Sequence, residues 1–311
     1  MGTLLVRVLV TGATGFVGHA VVSALADRGH VVTALSRHDR EVPTKADRHI
    51  SADIRSADEV AAAVAEVDAV CHLAALVRVR DSFAEPLKYW RTNVLGTLNV
   101  LSALSSSAEP KRLVLSSTGA VYGAPERQPI SEDQPTDARN PYAATKLAAD
   151  LAAAHVAGTG AIGAVSLRAF NIAGASAGRT DPDATRLIPK IIAAQAGRAP
   201  ELVVNGDGSV VRDFVHVEDM VEAFIRALDA CEPGTWRAYN IGSGRRTTIR
   251  DVVNAAEQIT GRPVPVRHAP PANEPPVLVA DSTRAAAELG WRPVRSDLVT
   301  IVGDAWWAVS V

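Results

Sequence analysis

Tyr142 and Lys146 stand four residues apart in the run Asn140-Pro-Tyr-Ala-Ala-Thr-Lys146. On a helix that spacing puts a phenol and an ammonium on one face, close enough to interact. A nearby positive charge lowers a tyrosine's pKa from its free value of about 10, so the pair can serve as a general base near neutral pH. A lone Tyr-x-x-x-Lys arises often by chance on helix surfaces. Here it shares the chain with Thr11-Gly-Ala-Thr-Gly-Phe-Val-Gly18, which follows an apolar run and opens a helical pattern. Gly12, Gly15 and Gly18 allow a tight turn, a close approach of backbone to a pyrophosphate, and close packing of helix on sheet. Phe16 and Val17 lie at the helix start, whose N-terminus faces phosphate charge. The spacing is GxxGxxG rather than GxGxxG, and an ordinary glycine-rich turn is the competing interpretation.

These residues need a scaffold, and the first half of the chain supplies one. Short β-rich runs alternate with alanine-rich helical stretches. Strands are predicted over Leu4–Val10, Val31–Leu35, His49–Ile54, Ala69–Ala74, Arg112–Ser117 and Val165–Phe170. Helices are predicted over Phe16–Arg28, from a capping box at Ser56 through Val67, over Pro86–Ser107, and over Pro141–Ala157 with Asn140 as its cap. Alternating strand and helix with apolar strands means an α/β fold built on a doubly wound parallel sheet, of the Rossmann type. After about Asn171 glycine, proline and loop signals become denser, at Gly174–Asp183, Asn205–Gly208 and Pro263–Pro276. Helices are still legible there over Glu218–Ala230 and Ile249–Thr260, and a short strand over Val277–Ala280. The division is a dinucleotide-binding domain over 1–170 and a smaller α/β substrate domain over 171–311, with a boundary the chain crosses more than once.

Composition narrows the function classes. The chain has 311 residues, 47% of them hydrophobic, and a formal net charge of −2. That is enough for a full core and carries no basic excess for nucleic acid or a membrane surface. The apolar Leu4–Val10 run is too short for a signal peptide and leads straight into the glycine motif, and Val6 does not fit myristoylation. No apolar run has transmembrane length. Cys71 and Cys231 sit in apolar contexts and read as buried thiols of a cytoplasmic protein. No His, Cys or carboxylate spacing suggests zinc, so no metal is expected. His72, at a strand end, reads as a core residue.

The end of the second strand should discriminate between nicotinamide cofactors. An acidic residue there would hold a ribose 2′-hydroxyl. Ser36-Arg37 stands there instead, and a hydroxyl with a guanidinium suits a 2′-phosphate, which favours NADP over NAD. In the alternative, Arg37 stacks on adenine and Asp39 holds the ribose. Asp53-Ile54, closing the third strand, is placed to meet the adenine edge, unless Asp53 is only a helix cap or a surface charge.

Taken together these residues resemble the extended short-chain dehydrogenase/reductases, and among them the NAD-dependent epimerase/dehydratase family. The resemblance runs nearly end to end. It covers the glycine motif, His72-Leu-Ala-Ala75, Asn93-Val-Leu-Gly96, Leu115–Gly123, the Tyr142/Lys146 pair, Leu167–Asn171, Gly206–Ser209, Arg212–Val217 and Tyr239–Gly242. It implies that Tyr142 is the base, that Lys146 orients it and binds the nicotinamide ribose, and that Thr118 hydrogen-bonds the reacting sugar hydroxyl. Ser116 and Ser117 would line the nicotinamide site, and Leu73, Ala74, Ala75 and Asn93 the cofactor trough. Asn171 and Arg212 match positions that hold a nucleoside diphosphate. Three departures matter. Gly119-Ala120 replace the Asp-Glu pair of family members that dehydrate the sugar, which disfavours 4,6-dehydration. Pro270-Pro-Ala-Asn-Glu274 lacks an arginine that family epimerases often carry there. Arg186 stands where the family commonly has asparagine, and would compensate with a cation toward the substrate.

The function so implied is transient oxidation at C4 of a nucleotide-linked sugar, with Tyr142 as phenolate, Thr118 on the proton path and no net redox change. An NADPH-dependent nucleotide-sugar 4-ketoreductase uses the same residues, and Ser36-Arg37 tilts toward it. A non-catalytic dinucleotide sensor is a third reading, opposed by the intact Thr118, Tyr142 and Lys146. The sugar and its carrier stay open. A homodimer is also implied, paired through the Pro86–Ser107 and Pro141–Ala157 helices, although the small residues of the second could pack only within the chain.

Overall fold

The computed structural model describes residues 5–39 and 41–310. Six strands carry the first half: β1 (Arg7–Thr11), β2 (Val31–Ser36), β3 (Arg48–Ser51), β4 (Ala69–His72), β5 (Lys111–Thr118) and β6 (Ile162–Ala169). With the Trp236–Ile241 strand they form a seven-stranded sheet in the order β3, β2, β1, β4, β5, β6, Trp236–Ile241. The β1–β2, β2–β3, β1–β4 and β4–β5 ladders are parallel, with Val10 opposite Ala34 on one side and Cys71 on the other. Leu9, Val10, Val70, Val114 and Val165 are buried, as befits strands covered on both faces. The strand order reverses between β1 and β4, and the crevice at such a switch point, beyond the carboxyl ends of the strands, is where doubly wound sheets bind ligands.

The chain divides into two compact units. The first comprises 1–123, 135–168 and 221–239, and the second 124–134, 169–220 and 240–311. A core of Leu9, Leu35, Val64, Val100, Leu113 and Ile162 fills the first. The second has its own core around Ile188, Ile192, Phe214, Val252, Ile301 and Trp306. Its strands are short: Leu202–Asn205 pairs in parallel with Val266–Ala269, and Asn171–Ala173 with Phe214–His216.

Local signals explain most boundaries. The Pro141–Ala157 helix starts where Asn140 caps it, the side-chain oxygen accepting from the Ala143 N–H at 2.8 Å with Pro141 in the first turn. The Ile249–Thr260 helix opens on a reciprocal Thr248–Asp251 capping box and closes at Gly261, whose φ of +66° is left-handed. The predicted first strand begins at Leu4, outside the described residues, and the third ends at Ser51, so Asp53 and Ile54 lie beyond it. The stretch predicted as one helix over Pro86–Ser107 is helical over 86–105 but not uniformly so: Trp90–Leu95 is π-helical between α-helical Pro86–Tyr89 and Gly96–Ser105. The cause is tertiary. Asn93 is buried there, and its amide exchanges hydrogen bonds with Leu76 N–H and C=O at 2.8 and 3.0 Å. Among the described residues no helix is long and apolar enough to cross a membrane. Cys71 and Cys231 are buried free thiols, and burial pushes both above the usual thiol range, Cys231 to about 12.

Candidate active site

The glycine motif turns tightly at the carboxyl end of β1. Gly12 has φ +70°, and a Cβ there would lie 2.8 Å from the Ala74 nitrogen. A Cβ on Gly18 would lie 2.1 Å from the Gly12 carbonyl oxygen. Both glycines are therefore dictated by close backbone approach. The helix that follows, Phe16–Asp27, has Gly15 as its N-cap, no capping side chain and no acidic residue in its first turn. Its first N–H groups, beside half-buried Phe16 and Val17, remain available to an anion. A glycine cradle of this shape, at the sheet's switch point and with an anion-ready helix end, fits the diphosphate of a dinucleotide.

Around the cradle the residues singled out from sequence take distinct positions. The Ser36 side chain is buried, its hydroxyl donating to the His38 carbonyl at 2.7 Å and lying 2.9 Å from His49 Nε2. Arg37 is exposed at the end of β2. Asp53 binds the Arg55 guanidinium at 2.5 Å, which holds its carboxyl below the usual range, with a further contribution from Arg37. Ile54 is buried and packs against Gly96, where a Cβ would lie 2.5 Å from its Cδ1. Leu73, Ala74 and Ala75 follow β4 half-buried, and Thr11 Oγ1 accepts the Ala74 N–H at 3.2 Å. Asn93 ties this loop to the Pro141–Ala157 helix, donating to Thr145 Oγ1 at 3.0 Å. His72 is enclosed between the Thr11 and Thr97 hydroxyls. Burial pushes its pKa down to about 3, so it stays neutral.

The reactive pair sits on that helix. Tyr142 is buried to 9% exposure and Lys146 to 5%. Lys146 Nζ donates to the Ser116 carbonyl at 2.7 Å, which fastens the amine to the end of β5. Burial pushes its pKa down to about 8, with Asp150 acting in the opposite direction. At pH 7 the amine is thus charged in a poorly solvated seat, where its field on a neighbouring phenol is strong. Thr118 closes β5 as the N-cap of the Gly119–Tyr122 turn, its hydroxyl accepting the Ala120 N–H at 3.2 Å. Ser116 is half-buried and Ser117 buried beside it. A phenol, an ammonium and a hydroxyl on two adjoining elements can abstract and return a proton.

Two buried charged residues beside these elements were not singled out from sequence. Ser117 Oγ donates to the Asp150 carboxylate at 3.0 Å, and Arg168 pairs with the same oxygen at 3.0 Å. Asp150 was visible as the one acid among alanines on a buried helix face, but its partner on β6 was not.

The second unit holds the other three predicted residues. Arg212 ends the Val211–Arg212 strand and pairs with Glu274 at 2.5 Å, while donating to the Val211 and Pro275 carbonyls at 2.9 Å. Asn171 is exposed, its amide donating to the Asp213 carbonyl at 2.8 Å. Arg186, exposed at the start of the Leu187–Gln195 helix, pairs with Asp181 at 3.2 Å. A cavity of about 410 Å³ in this unit lies among Val204, Ile249, Val253 and His268 and includes none of the predicted residues.

Comparison with known proteins identifies the chain's relatives. The family model described as NAD dependent epimerase/dehydratase family matches residues 8–242. UDP-glucose 4-epimerase of Corynebacterium glutamicum is 38% identical over 96% of this chain and 94% of its own length. The enzyme of the same name from Streptomyces lividans is 38% identical over 96% and 95%. Among solved structures, UDP-glucose-4-epimerase from Stenotrophomonas maltophila, with bound NAD and formylated UDP-arabinopyranose, superposes with a TM-score of 0.91 at 32% identity, covering 97% of this chain and 98% of that one. UDP-glucose 4-epimerase from Brucella ovis in complex with NAD gives 0.91 at 35%, covering 96% and 97%. On the family model and these relatives, this chain belongs to the NAD-dependent epimerase/dehydratase family.

Proposed function

We propose that this protein is a nicotinamide-dinucleotide-dependent epimerase that inverts C4 of a UDP-linked hexose such as UDP-glucose. The observation that carries the proposal is Lys146, charged, buried and fixed to the Ser116 carbonyl one helical turn from Tyr142. That charge favours phenolate at position 142, and the phenolate takes the C4 hydroxyl proton while Thr118 holds the same hydroxyl. A dinucleotide held at the glycine cradle of Gly12, Gly15 and Gly18 would supply the acceptor and donor of the C4 hydride. Once the keto sugar has turned over and hydride has come back to the other face of C4, Tyr142 returns the proton to the C4 oxygen, so proton and hydride balance over the cycle. The first unit serves the dinucleotide, and Asn171, Arg186 and Arg212 of the second serve the nucleoside diphosphate. Gly119-Ala120, with no acid–base pair after Thr118, supports epimerisation over dehydration.

Relatives solved with NAD support that cofactor. Preference for NADP rests on the exposed Arg37, because the Ser36 hydroxyl is already engaged by His38 and His49. A homodimer belongs to the same reading. Phe83, Leu87, Leu95, Leu98 and Leu151 are exposed between 43% and 68% on the helical segments at 79–105 and 141–157, an apolar surface of the sort that subunit contacts cover. A reducing, cytoplasmic setting suits the two free thiols.

The test is conversion of UDP-glucose by purified protein, followed by separation of the C4 epimers and measurement of total oxidised and reduced dinucleotide. Formation of UDP-galactose with no net consumption of dinucleotide is expected. Stoichiometric loss of NADPH against a 4-keto sugar nucleotide would transfer the assignment to the ketoreductase.

A further inference from the structure

Beneath the reactive face of the Pro141–Ala157 helix lies a charged network that proton transfer by Tyr142 does not itself require. Asp150 follows Lys146 by one helical turn and is fully buried. Its Oδ2 accepts both Ser117 Oγ and Arg168 Nε, each at 3.0 Å. Arg168 donates a second bond to the Tyr122 hydroxyl at 2.8 Å and lies 5.2 Å from the centroid of that ring. Asp150 Oδ1 has no hydrogen-bond partner among the described residues. An arginine and a carboxylate that serve only each other commonly pair through both oxygens. Here one oxygen takes both bonds; burial pushes the carboxyl up, and Arg168, Ser117 and the Ser166 hydroxyl act against that. One turn away on the same helix is the Lys146 ammonium, which Asp150 favours against the cost of burial. The remaining titratable groups around the pair are Tyr142 on the same helix, neutral His72 on β4, and, facing Asp150, Arg168 from β6 and Tyr122 from the turn after β5.

Building on the catalytic role assigned to Lys146, we propose that Asp150 is a positioning residue: its buried carboxylate keeps the Lys146 ammonium charged and, through Ser117, pins the end of β5 that carries Ser116 and Thr118. Without it, burial opposes the charge of Lys146 with nothing on the helix to offset it. The phenolate at position 142 then loses its support at a lower pH.

The experiment is kcat and KM for UDP-glucose against pH, on the dinucleotide-loaded protein, for wild type, Asp150→Asn and Asp150→Glu. Wild type is expected to lose turnover on the alkaline side near pH 8, where Lys146 discharges. Asp150→Asn should move that limb down by about one pH unit, with KM little changed, since removal of one close charge shifts a buried group by that order. Asp150→Glu should restore the limb. A folded Asp150→Asn protein whose limb stays in the wild-type position, whatever its maximal rate, overturns the proposal. Asp150→Asn also strands the Arg168 charge in the core, which can cost the fold. The double variant Asp150→Asn/Arg168→Gln strands no guanidinium; because it also removes a positive charge that opposes that of Lys146, a smaller downward displacement is expected, and an unmoved limb in it is equally fatal. Turnover indifferent to Tyr142→Phe would instead remove the catalytic reading and this proposal together, so the two failures differ in their signature.

Discussion

Lys146 is held in the core as an ion, and the same burial that sharpens its field destabilises the protein. Its pKa is about 8 folded against 10.5 for a free lysine. Between those values the unfolded chain binds more protons, so this residue makes stability rise with pH through that window. Below about pH 8 the charged amine is buried at a cost of up to about 3 kcal/mol. Lys146→Met should therefore raise the thermal midpoint of dinucleotide-free protein at pH 7, the gain shrinking toward pH 10, while turnover collapses. A lower midpoint at pH 7 would show that the bond to the Ser116 carbonyl outweighs the burial of charge. The glycines at 12 and 18 are the opposite case, since their importance lies in what they lack. Both were readable from sequence because close backbone packing after a strand imposes one residue type at one spacing. The Ser36 hydroxyl was not so readable: its engagement by His38 and His49 depends on how β2 and β3 end, which no local pattern records.

At the scale of elements, the Pro141–Ala157 helix carries Tyr142 and Lys146, and its cap sets where Tyr142 stands. Asn140→Ala removes the acceptor for the Ala143 N–H and should cost about 1 kcal/mol of stability, measured by urea unfolding, with a loss of kcat since Tyr142 lies in the first turn. An unchanged unfolding midpoint would mean that Pro141 and tertiary packing alone fix the helix start. This helix and Ile249–Thr260 were legible in full, because proline, asparagine, threonine and glycine mark their ends. The π-helical segment at Trp90–Leu95 was not. It owes its wide turn to Asn93 reaching Leu76 and Thr145, partners distant in sequence, whereas apolar periodicity alone reads as one helix. The Asp150–Arg168 pair escaped for the same reason, as it joins a helix to β6 across the core.

For the molecule as a whole, the parallel sheet brings the ends of β1, β4 and β5 together, so that Gly12, Ala74 and Thr118 stand at one edge of the first unit. That much follows from alternating strands and helices. The pairing of the second unit's cations does not: Arg212 is paired with Glu274 and Arg186 with Asp181, contacts that the one-dimensional pattern leaves open. The claim on which the account turns is that the Tyr142 oxygen carries the proton. The most direct measurement is kcat for UDP-glucose of the Tyr142→Phe protein, with dinucleotide occupancy verified. A fall of about 10²–10⁴-fold with the dinucleotide still bound is required, the range that a positioned general base contributes; a rate close to wild type would contradict it.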